Sequence, residues 1–315
     1  MSIGKSIKGL LRKYLFNPLG YDVVPLKKTA QLKNRAKTQA STPEKNAQNR
    51  TGQYIELFGE EAVRERRFYN LGAEASFKHP AWTVINLPSE HYGEDYIDIS
   101  WDLMSREPLP IEDEKAQVIF SRYTLEHVDD GSAQHFLVEA NRALISGGTL
   151  RLIVPDIDIF YLAYLAKVPD IFYRPKQELE TFPNEKFSQN PNRASFEQRF
   201  LWRFASNASE LHPDGASVRI SDQDFRKAFT ELSFAEAMNY CTSKCSLEVQ
   251  KKYRENHINW FNADKLLRML KEAGFANSYR SGFGQSRCLV LRQVKLLESR
   301  QPEIGLFVEA VKQQN

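Results

Sequence analysis

Apolar positions follow two rhythms along this chain, and their alternation predicts a layered α/β domain. Val118, Ile119 and Phe120 form a short apolar run that gives way to the polar stretch Ser121 to Asp129. Phe136, Leu137, Ala140 and Leu144 then recur at helical spacing, with Asp129 or Asp130 placed to cap the helix start. Gly147-Gly148 is expected to stop that helix, and Leu150, Leu152, Ile153 and Val154 give a second buried strand. Two strands joined through a helix run parallel, with a right-handed crossover. Ligands of such sheets sit beyond the carboxyl ends of the strands. Those ends carry Leu125-Glu126-His127 and Pro155-Asp156.

Strand signals upstream lie at residues 67–72 and 83–87, with a weaker one at 96–100, giving five candidate parallel strands. A helix over 55–66 leads into the first, and connections among the first three are short enough to require turns. Residues 157–256 show helical patches without strand alternation, best at 157–167, 195–205, 222–240 and 247–256. After them, 263–273 reads as a helix closed by Gly274. Residues 276–281 and 287–293 are expected to close the sheet as a hairpin around Gly282-Phe283-Gly284. The tail 294–315 is charged and reads as helical.

Net charge changes this picture at one end. The 315 residues carry +3 overall, but residues 1–52 hold eleven Lys and Arg against Asp22 and Glu44. That arm is +9 and the remainder −6. Ile3, Ile7, Leu10, Leu11, Tyr14 and Leu15 share a helical face ringed by Lys5, Lys8, Arg12 and Lys13, so residues 1–25 read as a basic amphipathic helix. Residues 26–52 read as a flexible basic linker. Peripheral contact with an anionic membrane is the functional reading of the arm, a docking helix or solubilising tail the plain one. Nucleic acid is disfavoured, because the folded body is acidic and phosphates would be repelled. No apolar run is long enough to span a bilayer. Three cysteines are too few for a disulfide framework, which together with the weak leader signal suggests a cytoplasmic protein, peripheral at the inner membrane surface if the arm binds there.

The ordered set Leu125-Glu126-His127, a helix, then RALISGGTLRLIVPD (142–156) resembles class I S-adenosylmethionine (SAM)-dependent methyltransferases of the type 11 group. Matching pieces are Phe68-Tyr69-Asn70-Leu71-Gly72, Trp82 to Asn86, Asp98 to Pro110, and the segment 257–275. The resemblance implies a Rossmann-like, doubly wound, mostly parallel α/β sheet with an antiparallel last strand. It assigns 53–156 and 257–293 to the core and 157–256 to a helical insertion after the fifth strand, capping the substrate. It implies SAM as cofactor, held by Asn70, Gly72, Glu74, Asn86, Asp102, Leu103, Ser121 and Tyr123.

Two of these positions depart from the family pattern. Glu74 stands where a second glycine is expected; a left-handed backbone there would cost a non-glycine residue about 1–2 kcal/mol. A carboxylate would repel a dinucleotide's pyrophosphate yet tolerate the cationic sulfonium and amine of SAM, which favours SAM over NAD. Asn86 replaces the acidic residue that accepts bonds from the ribose hydroxyls, with Glu90 as a substitute. Both departures leave open a methyltransferase-like scaffold with a decayed cofactor site.

Methyl transfer from a sulfonium needs alignment, and a base when the nucleophile is a hydroxyl. His127 is the first candidate base, its plainer role being to orient the loop through a backbone carbonyl. Asp156 is the second, with helix capping as its plainer role. His257 and Trp260 are placed to face the acceptor or to pack; Tyr161 and Tyr164 read as packing, and 212–215 as a surface turn. Cys241 and Cys245 with His257 lack a fourth ligand for a structural zinc, so no metal is expected. The expected reaction is O-methylation of a glycan or another small cytoplasmic acceptor.

Overall fold

A computed structural model describes residues 43–88, 95–172, 187–214, 218–298 and 301–313, with side chains from Thr51 onward. The amphipathic segment 1–25 and most of the expected linker lie outside these residues, as does Glu90. Contacts divide the chain after Arg50, and the second unit contains the whole sheet. The expected linker ends early, because helix α1 (Pro43–Arg64) begins within it. Proline fits a first helical turn, where its missing N–H is no loss. Gly59 breaks α1 internally with φ 83°.

The five expected strands are present: β1 (Phe68–Leu71), β2 (Trp82–Asn86), β3 (Ile99–Ser100), β4 (Ala116–Arg122) and β5 (Leu144–Pro155). Turns, with no helix, join β1 to β2. Helix α2 (Asp130–Ala143) crosses between β4 and β5, and its cap is Asp129, which accepts from the Ser132 N–H at 3.0 Å. Its end falls just before the glycine pair, and Gly147 (φ 77°) sits in β5 near a register shift against β4. The sheet has seven strands in the order β3-β2-β1-β4-β5-β7-β6, parallel except for β7 (Gly305–Val311), which runs antiparallel between β5 and β6 (Asn277–Arg280).

The closing strand is therefore not where the pattern placed it. Residues 289–292 form a single 3-10 turn followed by the short helix α9 (Val294–Leu297), and the strand comes from the supposed helical tail. The cause is a charge inside the sheet. Arg151 on β5 is fully buried, and its donors reach Glu298, Ser281, Gln285 O and Gly282 O at 2.7–3.2 Å. A buried guanidinium demands partners on every side, so residues 281–298 wrap around it rather than pair as a strand. Glu309 completes the arrangement 3.6 Å from Arg151 and gives β7 the charged look that hid it.

Both faces of the sheet are packed. Helices α2 and α8 (Ala263–Glu272) cover one, burying Phe136, Leu137, Leu266 and Leu270 against Ile119, Leu150 and Leu152. Tyr54, Phe68, Trp82, Phe120 and Leu291 fill the other. The insertion has its own aromatic core around Phe160, Phe200, Phe204 and Phe225, built by α3 (Ile157–Leu165), α4 (Phe196–Leu201), α5 (Asp222–Glu231) and α6 (Phe234–Thr242), with α7 (Leu247–Lys252) following in the chain. The single helix expected over 222–240 is two, because Ser233 and Glu236 form a reciprocal capping box that starts a new helix. No helix among the described residues is long and apolar enough to cross a membrane.

Candidate active site

The carboxyl ends of β1 to β5 open onto a cavity of about 870 Å3, roofed by α3, α7 and the segment up to His257. Its volume lies within the ~300–1,000 Å3 of small-molecule sites. Among the expected site residues, Gly72, Glu74, Asn86, Asp102, Leu103, Tyr123 and His127 line it.

Gly72 is left-handed (φ 73°), and a β-carbon there would sit 2.2 Å from Thr124 Oγ1. Only glycine lets β1 turn this close to the loop after β4. Glu74, in contrast, does not have a left-handed backbone, so it carries none of the strain that the motif suggested. Its carboxylate pairs with Arg122 at the end of β4. The second Arg122 amino group, Nη1, is buried with no protein partner among the described residues, as is the Trp101 indole N–H. Both residues line the cavity with other atoms. Asn86 donates to Ala73 O (3.0 Å) and Tyr96 Oη (3.2 Å) while its amide oxygen accepts from Leu87 N–H. A carboxylate could not donate those two bonds, which gives the departure a structural reason. Asp102 caps the turn 103–105 through Met104 N–H (2.9 Å) and pairs with Arg254 of the insertion at 3.2 Å.

Three expected residues stay out of the cavity. Asn70 and Ser121 are buried in their strands. Asp156 caps α3, accepting from Asp158 N–H at 3.2 Å, and its other oxygen pairs with Arg280 of β6 at 2.9 Å. Burial pushes its carboxyl up, partly countered by Arg280. Held by both partners and only 2% exposed, it has no oxygen to offer a substrate.

The loop after β4 and the end of the insertion form the other wall. Tyr123 is left-handed (φ 51°), its hydroxyl donating to Gln301 O at 2.6 Å. Ile258 and Asn259 N–H donate to Glu126 O, and Gln250 Nε2 donates to His127 O at 2.9 Å. His127 Nδ1 lies 3.0 Å from Asn256 O, so that ring does orient the loop as well as line the cavity. His257 Nδ1 lies 2.9 Å from Arg203 O, and the two imidazoles meet edge to face at 5.0 Å. Glu126 Oε1 is 4.0 Å from His127 Nε2. Burial pushes the Glu126 carboxyl up to about 8. Its Oε2 has no partner among the described residues.

Sequence reading noted Glu126 only as part of Leu125-Glu126-His127 and gave it no role, and it missed Arg122, Arg203 and Arg254, which elements far apart in the chain bring to the cavity. Trp260 and the two tyrosines pack: Trp260 Nε1 donates to Asn239 at 2.9 Å, and Tyr164 stacks on Phe200 at 5.6 Å. His212 is buried rather than in a surface turn, edge to face with Tyr253 at 4.8 Å. Cys241 and Cys245 belong to the insertion's core, and burial pushes both thiols up to about 12.

Residues 80–152 match the family model described as a methyltransferase domain. The matched segment carries β2 to β5 and the loop of Glu126 and His127, and the sheet around it closes with one antiparallel strand. The chain has a class I SAM-dependent methyltransferase-like fold. Similar solved structures include a SAM-dependent methyltransferase of Mesorhizobium loti (15% identity, covering 80% of this chain and 96% of that one, TM-score 0.35). Others are a possible histamine N-methyltransferase of Thermotoga maritima (13%, 84% and 95%, TM-score 0.34) and the YcgJ protein of Bacillus subtilis (11%, 85% and 99%, TM-score 0.33). No curated protein matches the chain. The methyltransferase fold and family match support an enzyme of this class that uses SAM.

Proposed function

We propose that this methyltransferase transfers the methyl group of SAM to a hydroxyl of a glycan or another small acceptor. The observation that carries the reading is one cavity lined both by a bare glycine turn and by Glu126, His127 and His257. The residues present fit the cofactor: Arg122 and Trp101 line the cavity and each keeps a buried donor without a protein partner among the described residues, and Gly72 puts no side chain at the turn. Asp102 and Leu103 would border the adenine, with Glu74, Asn86 and Tyr123 supporting the turn around it. When bound, SAM supplies a methyl group on a sulfonium that leaves readily.

The protein's own work is then to orient the acceptor and hold its proton. His127 donates from Nδ1 to Asn256 O, which leaves Nε2 as its basic nitrogen. An imidazole base on the acceptor side suits an alcohol, whose proton must leave as the bond to carbon forms. Arg203, Lys251, Lys252 and Arg254 on the insertion's wall favour an acceptor that also carries an anionic group, such as an acidic or phosphorylated sugar. Residues 157–256 act in this reading as the substrate cap on a core formed by 53–156 and 257–313. The basic arm 1–25 would bring the enzyme to an anionic membrane, which liposome flotation with and without it tests.

Calorimetry with SAM, followed by transfer of isotope-labelled methyl to glycan acceptor pools read by mass spectrometry, tests the function. Labelled product from alcohols is the expected result. A folded protein that binds no SAM leaves the scaffold reading in its place.

A further inference from the structure

Two imidazoles and a carboxylate meet in the cavity wall in an arrangement that acid–base chemistry alone does not require. One ligand atom from each of Glu126, His127 and His257 lies within 4.8 Å of the other two. Both Nδ1 atoms face backbone carbonyls, Asn256 O at 3.0 Å and Arg203 O at 2.9 Å. A carbonyl only accepts, so each Nδ1 carries a proton, and Nε2 is the nitrogen that bears the lone pair whenever the ring is neutral. That is the outer-shell pattern that fixes the tautomer of metal-binding histidines. Glu126 is 2% exposed, and its Oε2 has no hydrogen-bond partner among the described residues. A buried carboxylate oxygen without a donor is costly unless a proton or a metal ion completes it, and two imidazoles beside it suit the metal.

We propose that Glu126, His127 and His257 bind a divalent transition-metal ion, with zinc the best match to this donor set. Two imidazoles and one carboxylate suit zinc and its first-row neighbours over magnesium or calcium, which prefer oxygen throughout. Tetrahedral ligands at about 2.0–2.2 Å from zinc stand roughly 3.4 Å apart, so the widest gap must close by about 1.4 Å at most. Small rotations of the Glu126 and histidine side chains span that distance. Three protein ligands leave a coordination position open to the cavity. Its use rests on the methyl-transfer reading: an acceptor hydroxyl bound there would become more acidic and release its proton to water, so that in the metal-loaded protein His127 would assist deprotonation as a ligand, in place of taking the proton itself. Its oxygen then forms the bond to the methyl carbon while the carbon–sulfur bond breaks, its electron pair returning to sulfur.

The test is to strip the full-length protein with a chelator and titrate it with zinc and cobalt(II) in the absence of SAM. One equivalent per chain is expected, with visible cobalt bands of a four- or five-coordinate site. Affinity should fall roughly hundredfold or more in Glu126→Gln, His127→Ala and His257→Ala, and stay unchanged in Cys241→Ser/Cys245→Ser. X-ray absorption of zinc-loaded wild type does not depend on variants folding, and should show two imidazoles with no sulfur. Absence of stoichiometric binding, sulfur ligation, or full affinity in the folded histidine variants overturns the proposal. SAM calorimetry on the same samples separates the two readings: metal bound without SAM leaves the site standing and sinks methyl transfer, and SAM bound without metal does the reverse.

Discussion

On the cofactor wall, Asn86 and Asp102 find partners in nearby backbone or across a short gap, and Gly72 has no side chain to satisfy. On the acceptor wall, Glu126 is buried with an oxygen left over, and the two histidines are fixed by carbonyls from distant segments. The first wall is built mainly within residues 71–104, joined by Arg122 to Thr124 at the end of β4 and by Arg254; the second exists only when residues 126–127, 203 and 256–257 are folded together. A wall that is complete in itself holds shape, and one with an unsatisfied carboxylate is poised for chemistry. If that division is right, substitutions on the two walls separate binding from turnover.

The largest separation is expected at His127. Replacing it with alanine should lower turnover by about 10^2–10^4-fold, while SAM affinity from calorimetry stays within about threefold. Loss of both together would mean that His127 belongs to the cofactor wall.

Gly72 sharpens the contrast from the other side. Gly72→Val places a β-branched residue at φ 73° with its β-carbon on Thr124 Oγ1. The left-handed backbone alone costs about 1–2 kcal/mol, so SAM affinity should fall at least about tenfold and the melting temperature drop. Thr124→Ala in the same chain removes the nearest atom and should restore part of both. A double variant no better than Gly72→Val would show that the close approach is not what the glycine serves.

How far the sequence disclosed these walls follows from how local each is. Gly72, Asp102 and His127 lie in short motifs whose spacing reflects a strand end, so they could be read from the chain. The family pattern also exposed Glu74 and Asn86 as departures, but not their meaning. Asn86 donates two bonds, which needs the positions of Ala73 and Tyr96. Arg122 was invisible as the Glu74 partner because the two are 48 residues apart. The closing strand was misplaced for a similar reason. Glu309 made an apolar strand look like a charged tail, and its counterpart Arg151 lies on β5.

Glu74→Gly tests the departure directly and should have a smaller effect. Restoring the family glycine removes the partner of a largely buried Arg122, a charge-assisted bond that contributes about 1–2 kcal/mol. Stability in urea should fall by that order with no gain in SAM affinity. SAM binding that appears only in this variant would identify the natural protein as a scaffold with a decayed site.

The smallest effect is expected where the two walls touch. Arg254, from the insertion, pairs with Asp102 at 3.2 Å, and both side chains are well exposed, at 41% and 30%. Such a pair contributes about 0–1 kcal/mol and weakens with salt. In the proposed reading Asp102 also borders the cofactor's adenine, and Arg254 would then compete for its Oδ2. Arg254→Ala should therefore tighten SAM binding by no more than about fivefold at low salt, and the difference should shrink as salt is raised. The opposite sign, weaker binding in the variant, would make Arg254 part of the cofactor's grip. The insertion would then reach past the acceptor to the first wall, and the boundary between holding and reacting would have to be drawn through the insertion itself.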